Sequence, residues 1–167
     1  MNDPVGEMPA MEDYGVGRPG WHALPWSWAN ERLGAARNFW LVTCSAAGRP
    51  HALPVWGVWD NADHRFAFSC SPNARKVANL AANPHVTFAP EDTVECVSVQ
   101  GTAHRVDDLD RKETWVERYL AKYRTFSPDL SADFVRSQPF FEVAPDLAFA
   151  IIERENEFAA RATRWRF

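Results

Sequence analysis

The stretch RFAFSCSPNARKVANLAANPHV, residues 65–86, contains a strand pattern, a loop of small polar residues and a short helix pattern. In residues 65–70 aromatic and small residues alternate, which is typical of a strand. We expect the helix to begin at Ala74, with Asn73 as its N-cap, because asparagine is favoured at that position. The Asn83-Pro84 pair is expected to end it. This strand, loop and helix order is the starting point for the fold and for the site.

Two basic residues, Arg75 and Lys76, lie in the first turn of this helix. The first turn has unpaired N–H groups and the positive end of the peptide dipole, so it attracts anions. We therefore predict a phosphate site, although basic residues near a helix end are more often solvated. A face of small residues is expected to pack on a sheet and leave the two basic side chains free: Ala74, Val77, Ala78 and Ala81.

Strand patterns dominate the rest of the chain and are joined mostly by short turns. Strands are predicted at 38–45, 50–60, 65–70, 85–89, 94–106, in two pieces around Pro145, and at the C-terminus; helices are predicted at 25–36, 74–82, 107–122 and 129–136. This order predicts a mainly β fold, an antiparallel barrel closed on itself. The sequence contains no GxGxxG motif, which argues against a Rossmann domain.

The segment PHALPVWGVWD, residues 50–60, is apolar at alternating positions on both faces. Such a strand is expected to be buried on both sides. Pro54 and Gly57 are unusual inside a central strand, so they indicate a bulge or the close approach of another group to the backbone. A flat ligand is one candidate. The serines at 69 and 71 are expected to point the same way at the end of the next strand.

Length and charge limit the classes of function. A chain of 167 residues is long enough for one domain, and we predict a flexible leader at 1–24 before a barrel domain at 25–167. With 22 acidic and 18 basic residues and no basic run, nucleic acid is not an expected partner. The sequence has neither an apolar run long enough to span a bilayer nor a signal peptide, so we expect a cytoplasmic protein without a membrane partner.

Cysteine, histidine and tryptophan carry weaker information. The three cysteines, at 44, 70 and 96, lack metal-ligand spacing and are interpreted as reduced core thiols. The five histidines show no metal-binding pattern, and no metal is predicted. Six of the eight tryptophans lie between residues 21 and 59. They are expected in the core, at a subunit interface or as a wall of a site for a planar ligand, and different rings can have different roles.

The motifs NFWLVT, GRPHALPVWGVW, RFAFSCSPNARKVANLAANPHV, VSVQGTAHRV and TRWRF follow one another over residues 26–167. In this order they resemble the pyridoxamine 5'-phosphate oxidase-like split β-barrel flavoproteins. PVWGVW and TRWRF look most like the flavin/deazaflavin oxidoreductases of that superfamily, many of which use coenzyme F420 instead of FMN. The resemblance implies an FMN-binding type of split barrel and a homodimer with a cofactor at each subunit interface.

The resemblance also implies which residues contact the cofactor. Arg75 and Lys76 match the pair that grips the phosphate, and Ser71 matches the hydroxyl position before it. The strand beside the cofactor ring matches Pro54, Val55, Trp56 and Gly57, with Ser69 on the facing strand; Trp165 and Arg166 match the closing aromatic and basic pair. The chain lacks the longer C-terminal segment of the true pyridoxamine phosphate oxidases and has Cys96 where those enzymes have an amide, so vitamin B6 oxidation is disfavoured.

The implied activity is hydride transfer between a deazaflavin or flavin and a small organic substrate. No pair of residues at an interpretable spacing identifies a catalytic acid or base. Arg49, Arg161 and Arg164 are candidates for contacts with the longer anionic tail of F420, which continues from a phosphodiester to glutamates. The alternatives are an FMN-dependent oxidase-like enzyme, a non-catalytic flavin- or haem-binding protein, and a barrel without a cofactor.

Overall fold

A computed structural model describes residues 2–17 and 19–167. The strands of the described chain are β1 (Asn38–Cys44), β2 (Pro50–Asp60), β3 (Arg65–Ser69), β4 (His85–Pro90), β5 (Glu95–Arg105), β6 (Phe140–Ile152) and β7 (Thr163–Arg166). The helices are α1 (Trp26–Ala35), α2 (Arg75–Ala82), α3 (Leu109–Tyr123), α4 (Ala132–Ser137) and α5 (Phe158–Arg161), and a 3-10 turn covers Glu12–Tyr14. Every strand pair is antiparallel.

Six strands close into a barrel. The strand order is β3-β2-β1-β4-β5-β6-β7, and β6 also pairs with β3, from Phe66 opposite Val143 to Ser69 opposite Phe140. β7 adds to the other side of β6 without taking part in the closure. The prediction of a mainly β chain with a closed antiparallel barrel is confirmed.

β6 is one continuous strand, so the prediction of two strand pieces around Pro145 was wrong. Its register against β5 shifts between Gln100 and Gly101, and Asp146 has no partner at that point. Proline is tolerated inside a sheet at such a bulge because the ladder is already interrupted there. Gly101 is required at the bulge, since a Cβ atom would lie 2.3 Å from the carbonyl oxygen of Ala144.

The barrel interior is an aromatic core. Phe66 stacks on Phe88 with ring centroids 4.2 Å apart, and Phe39 packs on Phe66 at 4.7 Å. A second cluster lies outside the barrel, where Trp115 and Val116 of α3 cover Val58 and other residues of β2 and β3. α3 therefore fixes the outer face of β2, the strand expected to hold a ligand.

The segment before α1 contacts the last strand. Glu7 forms an isolated β-bridge with Arg164 and accepts a hydrogen bond from its guanidinium at 2.9 Å. Leu24 is 1% exposed, and its N–H donates to Thr163 Oγ1. These contacts attach the segment to β7. The boundary at residue 24 between a leader and the barrel domain stays a prediction.

The three cysteines are free thiols, as interpreted, but they are half-buried and only Cys70 packs against the core among the described residues. Cys44 and Cys70 lie at strand ends, and Cys96 is on β5 beside the inward-facing Val97. Burial raises the pKa of the Cys70 and Cys96 thiols. Within residues 2–17 and 19–167, no helix is long and apolar enough to cross a membrane.

Candidate functional site

The helix of the predicted phosphate site, α2, begins at Arg75, one residue later than expected. Its N-cap is Ala74 and not Asn73, and no side chain caps the helix. The N–H of Asn73 donates instead to Ser71 Oγ at 3.3 Å, because the preceding loop forms a turn of its own. The N–H groups of Arg75 and Lys76 have no acceptor among the described residues. Two backbone donors thus remain available for an anion.

The buried face of α2 is partly polar, so the predicted packing through small residues was right for Val77, which contacts the core, but wrong for Ala78 and Ala81. Ala78 and Ala81 are exposed, and the buried residues are Lys76, Asn79 and Leu80. Asn79 Nδ2 donates to Thr43 Oγ1 of β1 at 2.9 Å. A buried hydrogen bond between two side chains fixes both partners in orientation, and this one holds α2 at the end of the barrel.

Arg75 and Lys76 differ in their surroundings. Arg75 is exposed, as predicted, but Lys76 is only 9% exposed, which corrects the expectation that its side chain is free. Neither side chain has a hydrogen bond or an ion pair with the described residues, and the first turn of α2 contains no acidic residue. Lys76 buries its aliphatic stem, but its Nζ atom is not among the side-chain nitrogens that are buried without a partner. The charge of Lys76 is therefore at the surface beside the start of α2, where it is available to an anion.

The serines at the end of β3 lie together in a cleft of about 390 Å³, whose wall includes Tyr119 of α3. Ser69 Oγ donates to the carbonyl oxygen of Pro139 at 3.1 Å, while the exposed Ser71 caps the turn before α2. Burial raises the pKa of Cys70 in the same cleft, and the charge of Lys76 opposes that shift. Lys76 is therefore close enough to act on this cleft.

One edge of β2 is open along most of its length. β2 pairs with β1 over residues 50–56 but with β3 only over residues 57–60. On the β3 side, residues 50–56 have no neighbour among the described strands. The barrel is split at this position, between β2 and the loop that leads from β3 to α2.

Alternate residues of β2 direct their backbone groups to this open edge. Ser45 N–H donates to the carbonyl oxygen of Arg49, so the odd-numbered residues of β2 face β1. The even-numbered residues face the open edge, and two of the four are prolines without an N–H group: Pro50, Ala52, Pro54 and Trp56. The edge therefore presents the carbonyl groups of Pro50, Ala52 and Pro54 but only the N–H groups of Ala52 and Trp56, because the Trp56 carbonyl adjoins the first β2–β3 pair.

At Gly57, where β2 joins β3, the backbone is held by α3. Gly57 N–H donates to Tyr123 Oη at 2.6 Å, and Tyr123 Oη lies 2.7 Å from the carbonyl oxygen of Arg37. Lys122 Nζ donates to the carbonyl oxygen of Gly57 at 2.8 Å, and burial lowers the pKa of Lys122 to about 8. The β1–β2 register contains no shift, so the bulge considered for this strand is absent. The close neighbour of Gly57 is the Phe66 ring, 2.3 Å from the position of a Cβ atom.

The other predicted residues of β2 point in different directions. Val55 is 7% exposed in the core, whereas Pro54 is exposed. Trp56 is half-buried outside the barrel and stacks on Tyr123 with centroids 4.4 Å apart and an interplanar angle of 2°. The strand is fully buried only from Gly57 to Asp60, so the expectation of burial on both sides over its whole length was wrong.

Trp165 and Arg166 lie on β7. Trp165 is fully buried, and its ring meets that of Trp26 edge to face at 5.4 Å. Arg166 is 61% exposed at its side chain and pairs with Glu7. The structure thus gives Trp165 a place in the core, and contact of either residue with a cofactor stays a prediction.

The tryptophans divide between the core and the surface. Trp26 and Trp59 are buried, Trp28 and Trp56 are half-buried, and Trp40 is 49% exposed. Among the described residues, no group of three or more His, Cys, Asp or Glu side chains could hold a metal ion.

Comparison with known proteins agrees with this architecture. The family model of pyridoxamine 5'-phosphate oxidase matches residues 29–149. The chain belongs to this family. The matched region of the family member runs from α1 to β6 and so includes the open edge of β2, the start of α2 and the helix α3. No curated protein has a significant match to the sequence.

Solved structures with the same fold come from proteins of several kinds. A conserved hypothetical protein from Mycobacterium tuberculosis is 16% identical over 89% of this chain and 88% of its own, with a TM-score of 0.64. A candidate pyridoxamine 5'-phosphate oxidase from Listeria innocua is 16% identical over 74% and 95%, with a TM-score of 0.59. The haem storage protein HutZ from Vibrio cholerae is 20% identical over 71% and 87%, with a TM-score of 0.55. At these identities the likeness establishes the fold alone.

Proposed function

We propose that this protein is an oxidoreductase that binds coenzyme F420, or alternatively FMN, and transfers hydride to or from a small organic substrate. The observation that carries the proposal is the start of α2. Two backbone N–H groups, the exposed Arg75 and the nearly buried Lys76 all lack partners among the described residues. A phosphate or phosphodiester would accept hydrogen bonds from these donors and neutralise both charges.

The open edge of β2 suits the ring of such a cofactor. Its carbonyl groups and the N–H groups of Ala52 and Trp56 alternate, and a fused ring with donors and acceptors on its rim can pair with both kinds. When bound, a flavin or deazaflavin supplies the hydride chemistry, and the protein supplies binding and orientation. We assign these tasks to Pro54 and Trp56 through their backbone groups, and to Ser69 and Ser71 on the facing side. Val55 and Gly57 support them, because their own backbone groups are held by β1 and α3.

The backbone beside the ring is preorganised by α3. Tyr123 and Lys122 hold the Gly57 peptide from both its N–H and its carbonyl group, and the stacked ring of Tyr123 fixes the Trp56 side chain. Residues that hold a ligand strand in one geometry reduce the loss of freedom on binding. Arg166 would close the site from β7, directly or from a partner subunit, and the buried Trp165 would hold that strand in place.

The test is a fluorescence titration of the purified protein with F420 and, separately, with FMN. Lys76→Ala should weaken binding of the preferred cofactor about tenfold to a hundredfold, since a charge-assisted hydrogen bond contributes roughly 1.5 to 3 kcal/mol. Arg105→Ala is the matched control, because Arg105 is an exposed cation whose partner is Asp107. If Lys76→Ala binds the cofactor as tightly as the original protein, the start of α2 is not the phosphate site.

The second candidate is a carrier that binds a flavin or haem without turnover. The haem storage protein of the same fold favours it, because the fold by itself does not determine chemistry. Oxidation of bound, reduced F420 by any organic acceptor would exclude a carrier role. Tight binding of haem together with no turnover of either flavin-type cofactor would favour the carrier.

A further inference from the structure

A cleft of about 530 Å³ lies between the β1–β2 turn and α2, and its wall includes Arg49, His51 and Arg75. No acidic side chain lines it. It adjoins the start of α2, because Arg75 is the first residue of the helix. The β1–β2 turn thus brings a second basic group next to the proposed phosphate site.

Arg49 and Arg75 have no carboxylate partner in the described residues, and the same holds for Arg37, Arg124 and Arg161. Nine other arginines form ion pairs with Asp or Glu: Arg32, Arg65, Arg105, Arg111, Arg118, Arg136, Arg154, Arg164 and Arg166. Arg49 and Arg75 differ from the other arginines without a partner because they line one cleft together. Two guanidinium groups in one cleft repel each other unless an anion lies between them. The charge in the cleft is therefore uncompensated by the chain.

The walls of this cleft are fixed. Ser45 Oγ accepts a hydrogen bond from Arg49 N–H at 3.1 Å, and Gly48 supplies the left-handed conformation of the turn with a φ of 76°. On the opposite wall, Asn79 is anchored to Thr43. A rigid basic cleft binds an anion with less loss of conformational freedom than arginines on a flexible loop.

We propose that this cleft binds a second anionic group of the cofactor, a carboxylate or phosphodiester beyond the group held at Lys76. The inference rests on the proposed function and specifies the cofactor: the ligand carries at least two separate anionic groups. FMN ends in one phosphate, whereas F420 continues from its phosphodiester into a tail of carboxylates. Arg49 and His51 thereby distinguish the long anionic cofactor from the short one.

The experiment compares three ligands and four forms of the full-length protein. F420 with several glutamates, F420 with the glutamates removed and FMN are titrated into the original protein, Arg49→Gln, Lys76→Ala and the control Arg105→Gln at one low salt concentration. We expect Arg49→Gln to weaken binding of long-tailed F420 roughly two- to tenfold, in the range of a partly exposed ion pair. It should change the affinity for FMN less than twofold, and Arg105→Gln should change neither affinity.

Two results would overturn this inference. If Arg49→Gln weakens the binding of all three ligands by the same factor, the cleft is part of the first phosphate site. If Arg49→Gln has no effect while Lys76→Ala weakens binding, the second anion site is absent and the proposed function stands. Loss of the Lys76→Ala effect as well would reject both proposals, so the failures of the two are distinguishable.

Discussion

His64 is buried in an unusual state for a histidine. It is 1% exposed, has a φ of 50° and accepts a hydrogen bond from Trp26 Nε1 at 3.1 Å, while its Nδ1 atom is buried without a partner. Burial lowers the pKa of His64, although the Asp3 carboxylate opposes the shift. Native His64 therefore stays neutral at a pH where the histidine of an unfolded chain takes up a proton.

This state predicts a loss of stability in mild acid. Below a pH of about 6.5 the unfolded chain binds a proton that the native protein does not, so the free energy of unfolding decreases as the pH falls. Urea unfolding at pH 7.5 and pH 5.5 measures the change. The variant His64→Asn has a side chain that tolerates a positive φ, and its free energy of unfolding should change less between the two pH values. In the exposed control His22→Asn, the free energy of unfolding should depend on pH as in the original protein. A slope unchanged in His64→Asn would assign the effect to another group.

At the scale of the elements, Gly57 is the position where β2, β3 and α3 meet. A Cβ atom would lie 2.3 Å from the Phe66 ring in the core. Overpacking of this kind costs about 1 to 3 kcal/mol, so Gly57→Ala should lower the free energy of unfolding by about that amount, measured by urea denaturation. Gly34→Ala is the control, because its neighbour is the flexible Asn61 side chain and alanine favours α1. Equal stability of the two variants would contradict the packing argument.

Sequence patterns predicted most of the elements because alternation and turn residues are local properties. β1, β2, β3, β4 and α3 lie within a few residues of their expected ranges. The errors arise where a distant partner decides the outcome. Ser71 replaces Asn73 as the local hydrogen-bond partner, and Asn79 orients α2 through its bond to Thr43. The bulge opposite Gln100 keeps β6 continuous through Pro145.

The candidate site could be predicted only in part for the same reason. Arg75 and Lys76 were found because they lie together at a helix start, but their different burial depends on how α2 docks. Lys122 and Tyr123 were not predicted, since their contacts with Gly57 connect positions 65 and 66 residues apart. His51 had no local pattern that marked it. It shares a cleft with Arg75 because Thr43 of β1 pairs with His51 and also binds Asn79 of α2.

At the scale of the whole molecule, the outer face of β1 and β2 has exposed apolar groups. Trp40 is 49% exposed and lies directly opposite the exposed Pro54 in the β1–β2 pair. Exposed aromatic side chains of this kind often mark subunit contacts. We propose that a second copy of the chain covers this face, which would place its residues beside the open edge of β2.

The prediction is that the protein is a homodimer and that Trp40→Arg weakens the dimer. A buried aromatic anchor often contributes about 2 kcal/mol or more to an interface. The dissociation constant of the variant dimer should therefore be roughly thirtyfold higher than that of the original dimer. Light scattering after gel filtration gives the mass of both forms. Leu109→Arg is the control, because Leu109 is 79% exposed at the start of α3. A monomeric original protein would reject the homodimer, and a dimer unaffected by Trp40→Arg would place the contact elsewhere.

The two prolines on the open edge of β2 have a consequence for the protein before it meets a ligand. An unpaired strand edge is a template on which other chains can assemble, and it is a common origin of amyloid-like aggregation. Pro50 and Pro54 remove two of the four N–H donors from that template, because proline cannot donate to a strand ladder. The same edge can thus stay uncovered in newly made chains and still offer its carbonyl groups to a small molecule.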